Sequence, residues 1–121
     1  MQPLDRVPLE VRGWRLVNPV SYIDIERTVA LSFDYEPEEL HGPWVGHEES
    51  QARSVIFALA YDLLDEPSRA MARRCRMTPA GVRAALRRGR MRLAICKRTR
   101  RRITGPLRDL GVIYVPEANA L

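Results

Sequence analysis

Residues 68–93 run SRAMARRCRMTPAGVRAALRRGRMRL, and the fold turns on how this segment is organised. It holds nine arginines in 26 residues, yet an apolar rhythm runs between them. Thr78 is a good helix N-cap and Pro79 a good first helical residue, because Pro lacks the amide that the first turn leaves unbonded anyway. Counting on at about 100° per position, Val82, Ala85, Leu86, Gly89, Leu93 and Cys96 fall within one sector of roughly 100°, the width of a core-facing stripe. Arg83, Arg87, Arg90, Ala94, Lys97 and Arg101 form a separate stripe, within about 40° of its own centre line. Rhythm and charge therefore belong to different faces. Arg100 lands on the apolar side, so the packed part of this helix is expected to stop before it, and "TRRRITGP" reads as a basic extension.

On its N-terminal side, Pro67 restarts the chain after "DE", and residues 67–75 read as a short helix that turns Met71, Ala72 and Cys75 inward. Residues 50–64 carry Val55, Ile56, Leu59 and Leu63 at the spacing of a buried stripe, with Gln51, Arg53, Tyr61 and Asp62 left for other faces. Ser21 and Asp24 form a variant capping box, and Ile25, Val29 and Phe33 recur every four positions, which predicts a first helix over 21–34. "YEPEEL" suits a short helix with Pro37 in its first turn, broken by Gly42, Pro43 and Gly46. The reading is an all-α bundle over 21–103, with an extended segment at 1–20 and a tail or linker at 104–121. "LRDLGVIYVPEANAL" either pairs with "LEVRGWRLV" or leads into a further domain.

The charge is divided very unevenly. Residues 1–66 carry five arginines against 13 carboxylates, net −8, whereas residues 67–121 carry 14 arginines and one lysine against two carboxylates, net +13. Such asymmetry predicts a polyanion-binding half joined to a half that repels polyanions or docks a protein. Arginine dominates the basic charge, and its planar fork grips phosphates and guanine edges with two parallel bonds. Cys75 and Cys96 stand 21 positions apart in no metal-like pair, and His41 and His47 complete no zinc set of familiar spacing with them, so neither metal nor cofactor is expected. No nucleophile constellation or glycine-rich loop suggests an enzyme. The absence of a long apolar run or of a signal-peptide pattern predicts a cytoplasmic, nucleoid-associated protein with no membrane partner.

A short helix, a tight turn and a second helix with a polar outward face make the helix-turn-helix arrangement, whose second helix lies in the DNA major groove. Met71, Cys75, Val82 and Leu86 would lock the two helices, leaving Thr78, Ala80, Arg83, Ala84 and Arg87 to project as one rigid unit. "AMARRCRMTPAGVRAALRRGRMRL" resembles the helix-turn-helix of bacterial sigma factor region 4 and of related response regulators, with Ala72, Thr78, Val82, Leu86 and Leu93 in register. Arg76 stands where those families place a turn glycine, and Gly81 where they place a threonine. From Tyr22 to Leu93, the order and spacing of segments is similar to the C-terminal DNA-binding domain of the replication initiator DnaA, a TrpR-like fold. That initiator's basic loop is represented here by "GHEES", with Arg53 its one basic remnant.

The resemblance implies a transcriptional regulator of a bacterium or phage-like element that binds double-stranded DNA. Arg83 and Arg87 are the expected base-edge or groove-wall contacts. Thr78, with the Pro79 helix start and the amides near Ala80 and Gly81, would sit on a phosphate. Arg76, Arg88, Arg90, Lys97, Arg100, Arg101 and Arg102 would add phosphate contacts indifferent to sequence. RNA polymerase or another protein is the expected partner of the acidic half. Three rivals stand beside this reading: a small terminase-like DNA-packaging subunit, a module that holds an acidic protein on the arginine face, and an RNA binder built on residues 98–102. Trp14, Trp44 and Tyr61 read as core and hinge packing rather than base-stacking platforms.

Overall fold

A computed structural model describes residues 7–115 of the chain; residues 1–6 and 116–121, the outer parts of the two expected terminal segments, lie outside the described residues. In order, the elements are β1 (Leu9–Val11), β2 (Trp14–Leu16), α1 (Tyr22–Ser32), a 3₁₀ turn (Pro37–Leu40), α2 (His47–Leu64), α3 (Ser68–Cys75), α4 (Pro79–Ile95), α5 (Lys97–Leu110) and β3 (Val112–Tyr114). The fold is mostly helical but not all-α, because the three strands make a small antiparallel sheet in the order β1-β2-β3.

The sheet comes from both ends of the described chain. Arg12 and Gly13 both have positive φ, 53° and 84°, the handedness a two-residue hairpin needs to match the strand twist. Trp14 and Leu16 face the core while Arg15 points out and pairs with Glu10 across the hairpin at 3.0 Å. β3 returns from the far end, setting Val112 opposite Leu16 and Tyr114 opposite Trp14. Gly111 makes this return possible. Its φ of +96° closes α5, and a side chain there would meet the Asn18 amide, which donates to the Leu110 carbonyl. The expected pairing of the C-terminal stretch with "LEVRGWRLV" is present over Val112–Tyr114.

α2 is the axis of the molecule. Residues 52–60 are buried without a break, so this helix is covered on all sides rather than along one stripe. α1 covers one flank with Ile25, Val29 and Ala30, held in place by the Ser21–Asp24 capping box. α4 crosses α2 at Gly89, where a Cβ would lie 2.0 Å from the Ser54 carbonyl oxygen. Only a residue without a side chain allows that approach.

The basic extension expected after α4 is itself a helix. Cys96 adopts an extended conformation (φ −97°, ψ 100°) that ends α4 and starts α5, so the helical phase is reset there. With the new phase Thr99, Ile103 and Leu107 become the buried face. α4 thus ends before Arg100, as its place on the apolar side of a continuous helix implied, and Arg100 belongs to the new helix instead.

Candidate nucleic-acid interface

α3 and α4 are joined by three residues, Arg76 to Thr78. The turn is closed by backbone bonds from Met77 N–H to Ala72 C=O (2.9 Å) and from Arg76 N–H to Arg73 C=O (3.4 Å), the paired closure that ends many helices with a left-handed residue. Arg76 takes the left-handed position at φ 56°. A glycine would do so without strain, and for an L-residue that conformation costs about 1–2 kcal/mol. Thr78 caps α4, its hydroxyl oxygen accepting the Gly81 amide at 3.0 Å, and Pro79 occupies the first turn.

The two helices are locked from behind. Met71, Ala72, Cys75, Val82, Ala85, Leu86 and Gly89 are all buried, so the inward residues expected from the spacing are inward. The outward ones are exposed. Arg83 and Arg87, one turn apart, and Ala80, Thr78, Arg76 and Arg88 are solvent-facing, with Pro79, Gly81 and Ala84 half-buried between them. Among the described residues, neither Arg83 nor Arg87 has an ion-pair or hydrogen-bond partner, so both forks are available to a ligand. The Gly81 amide is already used by Thr78, which leaves the Ala80 amide as the open donor at this helix start.

Three arginines assigned to phosphate contacts have other work. Arg90 donates to both oxygens of Asp62, at 3.1 and 2.5 Å, and lies over the Tyr61 ring. That hydrogen bond raises the already high pKa of its guanidinium. Arg100 donates to the Leu93 carbonyl at 2.8 Å and lies over the Tyr114 ring, spanning the break between α4 and α5. Arg102 donates to the Ser32 carbonyl at 2.8 Å over the Phe33 ring and so ties α5 to α1. Lys97 and Arg101 remain exposed, but on α5 rather than on a continuation of the Arg83 stripe.

Arg53 also departs from expectation. It is 6% exposed and donates to the Leu40 and Gly42 carbonyls at 3.0 and 2.6 Å, and burial pulls its pKa down. It binds the chain's own backbone rather than a phosphate. Trp14 is core, as expected, and stacks at a tilt on Tyr114, but Trp44 is 93% exposed. Two candidates escaped the sequence reading: Arg69 and Arg73 of α3, both exposed and one turn apart, widen the basic face beside the turn. Their spacing of four, one helical turn, was legible in the sequence.

Comparison with protein-family models, curated proteins and solved structures finds no match to this chain. What the α3–α4 face can do therefore follows from its own chemistry: a capped, core-locked helix that presents paired, unengaged guanidinium groups, with a left-handed arginine and two further arginines beside it. Away from this face, Glu26, His41 and Cys75 are the one group among the described residues whose potential metal-ligating atoms come together. Also among the described residues, no helix is long and apolar enough to cross a membrane.

Proposed function

We propose that this protein binds double-stranded DNA with sequence preference, laying α4 in the major groove as the second helix of a helix-turn-helix, and that it regulates transcription in a bacterium or phage-like element. The observation that carries the reading is the pair Arg83 and Arg87. They stand one turn apart on the exposed side of α4, free of internal partners, while the opposite side of the same helix is clamped on α2 through Gly89. A rigid helix with two-pronged donors on one face is what reading guanine edges requires. Arg69, Arg73, Arg76 and Arg88 are suited to hold phosphates on either side, and Thr78 keeps its hydroxyl proton free for a phosphate oxygen. The acid-rich first half, including the exposed Glu36, Glu38, Glu39 and Glu48, would keep the rest of the molecule off the duplex and offers a surface for RNA polymerase or another basic partner.

The test is fluorescence anisotropy of a labelled random-sequence duplex at several salt concentrations, for the protein and for a double variant, Arg83→Ala with Arg87→Ala. Binding that weakens steeply with salt and falls at least tenfold in the double variant is the expected result. Absence of binding at low salt overturns the reading. Binding to an acidic polypeptide that duplex DNA does not displace would favour the protein-interaction alternative.

A further inference from the structure

Glu26, His41 and Cys75, far apart in the chain, converge where α1, the 3₁₀ turn and the C-terminus of α3 meet. Glu26 lies on the buried side of α1, His41 ends the 3₁₀ turn, and Cys75 is the last residue of α3. His41 Nε2 stands 2.8 Å from Glu26 Oε2, and one ligand atom from each of the three residues lies within 4.8 Å of the others. Glu26 and Cys75 are buried and His41 is half-buried, so the cluster is closed toward the core and open at the imidazole.

We propose that these three residues form a binding site for a zinc-class divalent ion, which staples α1 and the acid-rich connection to the residue just before the turn into α4. A carboxylate, an imidazole and a thiolate are a donor set that suits such an ion, with a solvent molecule in the fourth position. Around a tetrahedral zinc with bonds of about 2.0–2.3 Å the ligand atoms stand about 3.3–3.6 Å apart, so the His41–Glu26 pair would open slightly and wider separations would close, side-chain movements of about 1 Å. Two anionic ligands and one neutral ligand balance the double positive charge. On binding, the thiol gives up its proton to solvent and His41 keeps a single proton on Nδ1, freeing Nε2.

The surroundings hold the donors as a second shell would. Arg53 grips the carbonyls of Leu40 and Gly42, the residues on either side of His41, and so fixes the segment that carries the imidazole. The Gly42 amide donates to the Cys75 carbonyl at 2.7 Å, which fastens that segment to the end of α3. The Tyr22 hydroxyl lies 3.8 Å from the Cys75 sulfur. Among the described residues, the buried Glu26 carboxylate has only His41 as a hydrogen-bond partner. A divalent ion would replace that single contact by a direct bond and stabilise the buried thiolate as well.

This inference does not rest on DNA binding. The experiment is titration of the chelator-treated full chain with Co²⁺ and then Zn²⁺, followed by absorbance and thermal melting. Expected are one Co²⁺ per chain with a thiolate-to-cobalt charge-transfer band, displacement of the band by Zn²⁺, and a higher melting temperature with either ion. Cys75→Ser should abolish the band and Cys96→Ser should leave it intact, so the two thiols serve as test and control. His41→Gln, at a half-exposed position that keeps the fold as judged by circular dichroism, should weaken binding by about tenfold or more. No band in the unaltered protein, a band that survives in Cys75→Ser, or unchanged affinity in His41→Gln would each overturn the proposal.

Discussion

α4 and the first half of α5 both carry dense basic charge after the turn, and they use part of it differently. "KRTRRR", residues 97–102, is the denser of the two, yet Arg100 and Arg102 spend their guanidinium groups on the Leu93 and Ser32 carbonyls and on the rings of Tyr114 and Phe33. In α4, Arg83, Arg87 and Arg88 are exposed, and none has an acidic partner among the described residues. Charge density along the chain is therefore a poor guide to the charge a ligand would meet. The guanidinium carries several donors, so it serves equally well as an internal tie wherever carbonyls are left bare. In α5 it closes the break at Cys96 and the end of α1; in α4 no such need exists on the outer face.

The strongest way to break this contrast is to unseat α4 itself. Gly89→Ala places a methyl group against the Ser54 carbonyl, so α2 and α4 must separate, and the cost should be about 3 kcal/mol of stability by urea denaturation. A loss below about 0.5 kcal/mol would mean that the close crossing is not a constraint.

Next comes the pair Arg83→Ala and Arg102→Ala, measured for both stability and DNA affinity. The first should cost about 1–3 kcal/mol of binding, relax sequence choice and leave the melting curve alone. The second should cost roughly 1–2 kcal/mol of stability, through the lost bond to the Ser32 carbonyl, and leave the sequence preference unchanged. If both acted alike on binding, the division between free and engaged arginines would be wrong.

A smaller effect is expected at the turn. Arg76→Gly relieves the left-handed strain and should raise stability by about 0.5–1 kcal/mol, while weakening DNA binding modestly at every sequence alike. Stability that fell instead would show that the arginine side chain supports the turn from its place beside Gly42.

The finest probe is thiol reactivity at the α4–α5 break. The Cys96 thiol is pulled down, first by the Thr99 hydroxyl that donates to it at 3.3 Å, whereas burial pushes the Cys75 thiol up. A lowered pKa means more thiolate at a given pH. Iodoacetamide should therefore modify Cys96 first in the native protein, with the rate levelling off at lower pH than for an unperturbed thiol, as read by peptide mass spectrometry. Modification of Cys75 at a comparable rate would show that the joint between α3 and the 3₁₀ turn opens readily.

Most of the helical framework was legible in the sequence. Ile25, Val29 and Phe33, the α2 stripe, and Val82, Leu86 and Leu93 are buried as their spacing predicts, since helical periodicity is a local property of the chain. The hairpin was not legible. Its turn is Arg-Gly rather than Asn-Gly, and its strands are three residues each, too short for alternation to register. The restart at Cys96 was hidden for a similar reason: no proline or glycine marks it, and a single extended residue suffices to change the phase of every residue after it.

Which faces of α1 and α4 turn inward was thus settled by sequence alone, because residues three or four apart are neighbours on a helix whatever surrounds it; that α2 is covered on every side, Arg53 included, was decided by the packing around it. Which arginines stay free for a ligand was settled only by tertiary structure. The partners of Arg90, Arg100 and Arg102 are Asp62, Leu93 and Ser32, and two of those three lie on elements remote in the chain. The same holds for Glu26, His41 and Cys75, whose spacing matches no metal motif and whose ligand atoms nonetheless lie within 4.8 Å of one another. A spacing rule records only neighbours made by local geometry. Contacts between distant segments are set by how α1, the 3₁₀ turn and α3 pack together, with the buried Arg53 holding the backbone on both sides of His41.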